Sequence, residues 1–182
     1  MKRFIKFNNK DRSSSLKVLG AGIAIFLFML ILFLTIPFYY PSYSTVENVF
    51  HSNYREISLS PDKGILVSSV NLTKSNDTLI AFITEQGENV NVTVVGNGNT
   101  LTDSRFFTEE LPPGNYSIYL LDTSGMPYNV TFTYGVFPAT FIDGFYSGLG
   151  IYQTVLEIGM SLGIVIAIIG GILFLFSLRK RA

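Results

Sequence analysis

Few of the residues that carry acid–base, nucleophilic or metal chemistry occur in this chain, and those present are not spaced to act together. His51 is the only histidine among 182 residues, and there is no cysteine. Thiol nucleophiles and Cys/His zinc sites are therefore unavailable. Glu109 and Glu110 are adjacent, so on a strand they point to opposite faces and cannot form an acid/base pair. The carboxylates show no EF-hand-like spacing for Ca²⁺, and there is no glycine-rich phosphate loop or haem motif. The expectation is a non-enzymatic chain with no catalytic residue, cofactor or metal ligand.

Asp122-Thr123-Ser124-Gly125 is similar to the Asp-Thr-Gly of aspartic proteases, but it has an extra residue and no second copy. A turn leaving a strand is the better reading. Modification chemistry is better represented. Five N-x-S/T sequons begin at Asn71, Asn76, Asn91, Asn115 and Asn129, all between the two apolar segments described below. With ten Asn and about one-fifth Ser/Thr over residues 41–145, chance would supply roughly two. These are glycosylation candidates, against the plain alternative that polar strand faces are rich in Asn and Thr. Gln153 or Thr154, Glu157 and Ser161 recur at near-helical spacing and form a polar stripe that could face a partner helix. Glu157 lies 22 residues before Arg179, about 33 Å along a helix, which suits the outer headgroups better than a proton or ion role. Gly159-x-x-x-Gly163 and Gly170-Gly171, with Gly22 and Ala24 at a matching depth, are small-residue surfaces where two helices could cross.

The elements that would position these residues follow from hydropathy and charge. Val18–Phe38 carries no charge over 21 residues, about 31 Å of helix, which matches the hydrocarbon layer of a bilayer. It is too long for a signal-peptide core and ends in Ile-Pro-Phe-Tyr-Tyr rather than a small-x-small site, so an uncleaved anchor is expected. A second apolar segment, Ile151–Leu178, runs straight into Arg179-Lys180-Arg181. Charge is sorted along the chain. The tail 1–17 has six basic residues and one acid. Residues 41–150 have four basic residues and eleven acids, net −7. This fits two spans with both basic termini in the cytoplasm and the middle outside, and it does not fit nucleic-acid binding. The expected partners are the lipid bilayer and other membrane or cell-surface proteins. The tail 1–17 reads as solvated and disordered, or as a dock for anionic lipid headgroups. Residues 39–53 read as a linker or short lead-in element, and 137–150 as an aromatic, glycine-rich interfacial loop; Phe141, Phe145 and Tyr146 within it and Tyr152 just past it suit the interfacial belt.

Between the spans, 54–136 reads as an antiparallel β-sandwich of about seven strands: Tyr54–Leu59, Ile65–Asn71, Thr78–Thr84, Asn89–Val95, Arg105–Glu109, Tyr116–Leu121 and Tyr128–Val136. Turns are marked by Pro61-Asp62-Lys63-Gly64, Gly96-Asn97-Gly98-Asn99, Pro112-Pro113-Gly114 and Ser124-Gly125-Met126-Pro127. Alternation buries Val90, Val92 and Val94, then Tyr116, Ile118 and Leu120, then Val130, Phe132 and Tyr134, leaving Asn129, Thr131 and Thr133 on a polar face. Thr78–Thr84 is nearly all apolar and should lie centrally, covered on both faces.

Phe107–Tyr134 (FTEELPPGNYSIYLLDTSGMPYNVTFTY) reads as a closing hairpin. It resembles the GOLD domain of the emp24 family and bacterial pre-peptidase C-terminal domains in its Pro113-Gly114 turn flanked by apolar and alternating strands. The resemblance implies a binding or packing module and supports no catalytic residue. The cysteine-free, sequon-rich outer region is also similar in composition to archaeal envelope proteins. The function expected is a non-catalytic accessory or structural subunit of a membrane or cell-surface complex. The alternatives are a surface adhesion or receptor module, or a non-catalytic subunit of a respiratory-type membrane enzyme.

Overall fold

The computed structural model describes residues 9–61, 63–85, 89–125 and 127–179. The chain divides into two compact units, Met1–Tyr40 with Ser147–Ala182, and Pro41–Tyr146. The turn residues Asp62 and Met126 and the charged ends 1–8 and 180–182 lie outside the described residues.

In the first unit, helix α1 runs Asn9–Leu34 and helix α4 runs Ala139–Arg179, its first turns belonging to the second unit. Residues 9–17 of the basic tail are therefore helical, contrary to the disordered reading. They contain no proline or glycine to stop a helix nucleated by the span that follows, so the helix propagates back. The helix itself ends before Phe38. Thr35 leaves helical geometry, and a short helix α2, Ile36–Tyr39, follows. Pro37 has no N–H to bond to the carbonyl one turn back, so the helix breaks there.

The second unit opens with helix α3, Tyr43–Ser52, within the segment expected to be a linker. Eight strands follow: β1 Arg55–Leu59, β2 Gly64–Leu72, β3 Thr78–Glu85, β4 Val90–Gly96, β5 Asn99–Ser104, β6 Phe106–Glu110, β7 Gly114–Asp122 and β8 Tyr128–Phe137. They form two four-stranded antiparallel sheets ordered β1-β8-β3-β6 and β2-β7-β4-β5. That order, with successive strands alternating between sheets except at the β4–β5 hairpin, is an eight-stranded jelly roll.

Three expectations are corrected. First, β5 is absent from the strands expected. All its residues are exposed, so Asn-Thr-Leu-Thr-Asp-Ser shows no apolar face, and the strand exists because the hairpin Asn97-Gly98 folds it onto β4. Both turn residues have positive φ (51° and 78°), as a type I′ hairpin requires. Second, Phe107–Tyr134 is not a hairpin: β6 and β8 belong to one sheet and β7 to the other. The links between them arch across the sandwich instead of turning back within a sheet. Third, Thr131 and Thr133 are buried (6% and 2% exposed), and α3 lies over β8 at Thr133. Thr133 Oγ1 donates to the Phe50 carbonyl, and Asn53 Nδ2 donates to the Tyr134 carbonyl at 3.0 Å. Phe50 meets Phe82 and Phe137 at 5.1 and 5.4 Å between ring centroids. Gly135 makes this possible, since a Cβ there would meet the Phe137 and Phe50 rings.

The interior between the sheets holds Val90, Val92, Val94, Ile118, Leu120, Val130 and Phe132, all at most 2% exposed. β3 is internal to its sheet, with Leu79 and Ala81 in this core and Ile80 buried on the other side. The segment 137–150, expected as a loop, is helical from Ala139 onward. Phe137 stacks on Phe141 and Phe141 on Phe145, 6.4 and 6.5 Å between ring centroids, and the Phe141–Phe145 pair, one turn apart, supports the helix.

Candidate functional site

The residues singled out in the two long helices separate onto two faces. One is a seam where α1 and α4 run antiparallel in close contact. A Cβ on Gly163 would lie 2.7 Å from the Phe26 nitrogen and 2.9 Å from the Gly22 carbonyl oxygen. One on Gly22 would meet the Gly163 carbonyl oxygen and the Ala167 backbone, and one on Gly170 the backbone of Val18 and Leu19. Gly159 lies under the Met29 side chain. Backbone-to-backbone approach of this kind is what glycine permits in membrane helices. Gly171 lies at the edge, 3.9 Å from Leu19 Cδ1 by the same measure, and Ala24 is exposed. At one end of the pair Tyr152 contacts Tyr39 and Tyr40 at 5.9 and 6.0 Å between centroids, and the Tyr39 hydroxyl donates to the Leu32 carbonyl at 2.6 Å.

The other face carries Thr154, Glu157 and Ser161, all exposed. Each stands two positions before a residue of the packed face: Leu156, Gly159 and Gly163. At about 100° per residue, Thr154 and Ser161 lie about 160–180° round the helix from Gly163 and Glu157 about 120°, so the stripe is turned off the seam, with Glu157 nearest to it. Thr154 Oγ1 donates to its own helix, to the Gly150 carbonyl at 2.8 Å.

In the β unit, the sequons fall on strands and the β2–β3 connection. Asn71 on β2 is the direct cross-strand neighbour of Asn115 on β7, and both are exposed. Asn76 and Asn129 are also exposed, the latter accepting a hydrogen bond from Ser58 Oγ at 2.7 Å. Asn91 on β4 is half-buried.

The potential catalytic groups are scattered. His51 is exposed on α3, and Glu109 and Glu110 are exposed on β6 opposite Leu79 and Thr78. Asp122 is fully buried at the end of β7. Its Oδ1 accepts from the Ser124 N–H at 2.7 Å, the turn expected there, while Oδ2 has no hydrogen-bond partner among the described residues. Among the described residues no group of three His, Cys, Asp or Glu could hold a metal ion. One feature leaves no mark in the sequence: an open depression of about 400 Å³ lined by Lys74, Asp77, Glu110, Leu111, Pro112 and Pro113. Its walls come from the β2–β3 and β6–β7 connections, 30 or more residues apart, and only the strand order brings them together.

No protein-family model matches the chain, and no curated protein matches it. Among solved structures it is similar to a de novo designed double-stranded β-helix solved by solution NMR, at 15% identity and a TM-score of 0.30, over 46% of this chain and 96% of that one. The spans Ser13–Leu34 and Ala139–Arg179 are long and apolar, and only 6% and 11% of their most apolar windows are buried. Apolar surface left uncovered on that scale supports a two-span membrane placement, with a β-domain between the spans.

Proposed function

We propose that the chain is a non-catalytic subunit of a membrane or cell-surface assembly, displaying its jelly roll outside the cell from a two-helix anchor with both termini in the cytoplasm. The observation that carries this reading is the glycine seam. Gly22, Gly163 and Gly170 let two spans meet backbone to backbone, which makes a rigid paired anchor instead of two loose tethers. Orientation follows from the basic residues before α1 and after α4. In a host with N-glycosylation machinery, exposed sequons such as Asn71, Asn76, Asn115 and Asn129 would carry sugars.

Purification of the full chain in mild detergent, followed by mass spectrometry, tests the assembly. A stoichiometric set of membrane proteins is expected. A lone chain that binds an external glycan or protein would replace this reading with an adhesion or receptor role, which the depression beside Lys74, Asp77 and Glu110 favours. Protease added to intact cells tests the orientation. Cleavage of the termini with the β unit spared would overturn it.

A further inference from the structure

The helix seam sets a register with a consequence for Glu157. Leu19 meets Gly170, Phe26 meets Gly163 and Met29 meets Gly159. Continuing along the antiparallel pair puts Glu157 level with Ile31 and Leu32. Lys17 is then about 14 residues away along α1, about 21 Å at 1.5 Å per residue. The hydrocarbon layer is about 30 Å thick, so with Lys17 at one border the Glu157 backbone lies about 9 Å inside the other. Sliding the pair until Glu157 reaches its border would draw Ser13, Ser14, Ser15 and Lys17 into hydrocarbon, exchanging one polar side chain for several. The 33 Å between Glu157 and Arg179 gives no sign of this, because the apolar stretches of the two helices are staggered.

A carboxylate at that depth is costly, and in membrane proteins such groups face a partner or a water-filled cavity. Glu157 is exposed and is turned about 120° from the middle of the seam, so the helix packed against α4 does not cover it. We propose that the Thr154–Glu157–Ser161 face is the docking site for a transmembrane helix of another protein that carries an Arg or Lys at the same depth. Charge complementarity selects this occupant. A second copy in the same orientation would set Glu157 against Glu157, which like charges oppose. Thr154 and Ser161 flank the carboxylate one turn to either side and offer hydroxyls along the same contact. Gly150, one turn beyond Thr154, has open space where its Cβ would be, so a helix can approach closely there. The proposal rests on the accessory-subunit reading and names where that subunit is held.

The test places a photo-cross-linking residue at position 154 or 161 of the full chain in its native membrane, with position 162, on a different face, as control. Sequencing of the adducts is expected to return one transmembrane segment bearing Arg or Lys from 154 and 161 but not from 162. Glu157→Gln should cut the yield about tenfold or more, and Glu157→Asp should restore part of it. A disulfide between Met29→Cys and Gly159→Cys, formed equally in the Glu157→Gln background, shows that the anchor is intact. Adducts with lipid alone, with a second copy, or with a segment lacking a basic residue overturn the proposal, as does a Glu157→Gln yield equal to wild type. Co-purifying membrane proteins combined with lipid-only adducts would remove this docking site and leave the accessory-subunit reading standing.

Discussion

Asp77 Oδ1 accepts a hydrogen bond from the backbone N–H of Ala139 at 2.9 Å. A carboxylate from the β2–β3 connection thereby caps α4, whose own first turn has no acidic residue. Its backbone carbonyl also accepts from Leu111 N at 2.8 Å, so one residue ties together three segments of the β unit. Asp77→Ala should destabilise the β unit by about 1 kcal/mol, the usual cost of a lost helix cap, with Asp77→Asn losing less. Urea unfolding of the full chain in detergent, followed by tyrosine near-UV circular dichroism, reads the difference.

The seam makes a sharper distinction between glycines that look alike in sequence. Gly163→Leu must separate α1 from α4, because the new side chain meets the Phe26 and Gly22 backbones. Gly171→Leu and Ala24→Leu should leave the pair intact. The chain has no native cysteine, so disulfide formation between Met29→Cys and Gly159→Cys gives a clean readout. Loss of the cross-link in Gly163→Leu alone is the expected result.

Tyr116 links two neighbouring turns. Its hydroxyl donates to the Pro112 carbonyl and accepts from Asn97 Nδ2, both at 2.9 Å, while its ring lies where a Cβ on Gly96 would go. Tyr116→Phe should cost about 1–3 kcal/mol for the two lost hydrogen bonds, and Gly96→Ala a similar amount for overpacking. Chemical denaturation midpoints at constant slope would separate these from a change in the unfolded state.

Asn71 and Asn115 sit side by side on β2 and β7, with Cβ atoms within about 5 Å in such a pair. Two sugars crowd one another there. In a glycosylating host, Asn71→Gln is expected to raise occupancy at Asn115, seen as a changed mobility shift on glycosidase treatment.

Much of the β unit is legible in the sequence because burial alternates cleanly. Val90, Val92 and Val94 are apolar at every second position, and so are Tyr116, Ile118 and Leu120, so strand and buried face are both readable. β5 is not, because an exposed edge strand carries no apolar signal. Its only mark is Asn97-Gly98, which reads as a turn with nothing to announce a strand beyond it. Burial of Thr133 is hidden for a different reason: its cover, Phe50, comes from a helix 83 residues earlier. Strand pairing is the hardest to see. The strand Tyr116–Leu121 and the strand Val130–Tyr134 are neighbours in the chain but belong to different sheets, a choice made by long-range packing. In the anchor, glycine positions suggest a crossing. The register that separates Gly163 from Gly171, and sets the level of Glu157, requires both helices together.

The strand order also bears on biogenesis. β8 lies between β1 and β3, and β7 lies between β2 and β4, so each sheet receives an inner strand only at the end of the domain. Until residue 137 has left the ribosome, β1 has no hydrogen-bonding neighbour, and the nascent chain can pair only β3 with β6 and β4 with β5, plus β7 once made. Closure then depends on contacts between distant parts of the chain, which form slowly. α4 follows immediately, so its membrane insertion overlaps with closure of the jelly roll, and a ribosome stalled before β8 would release an anchored chain with an open sheet.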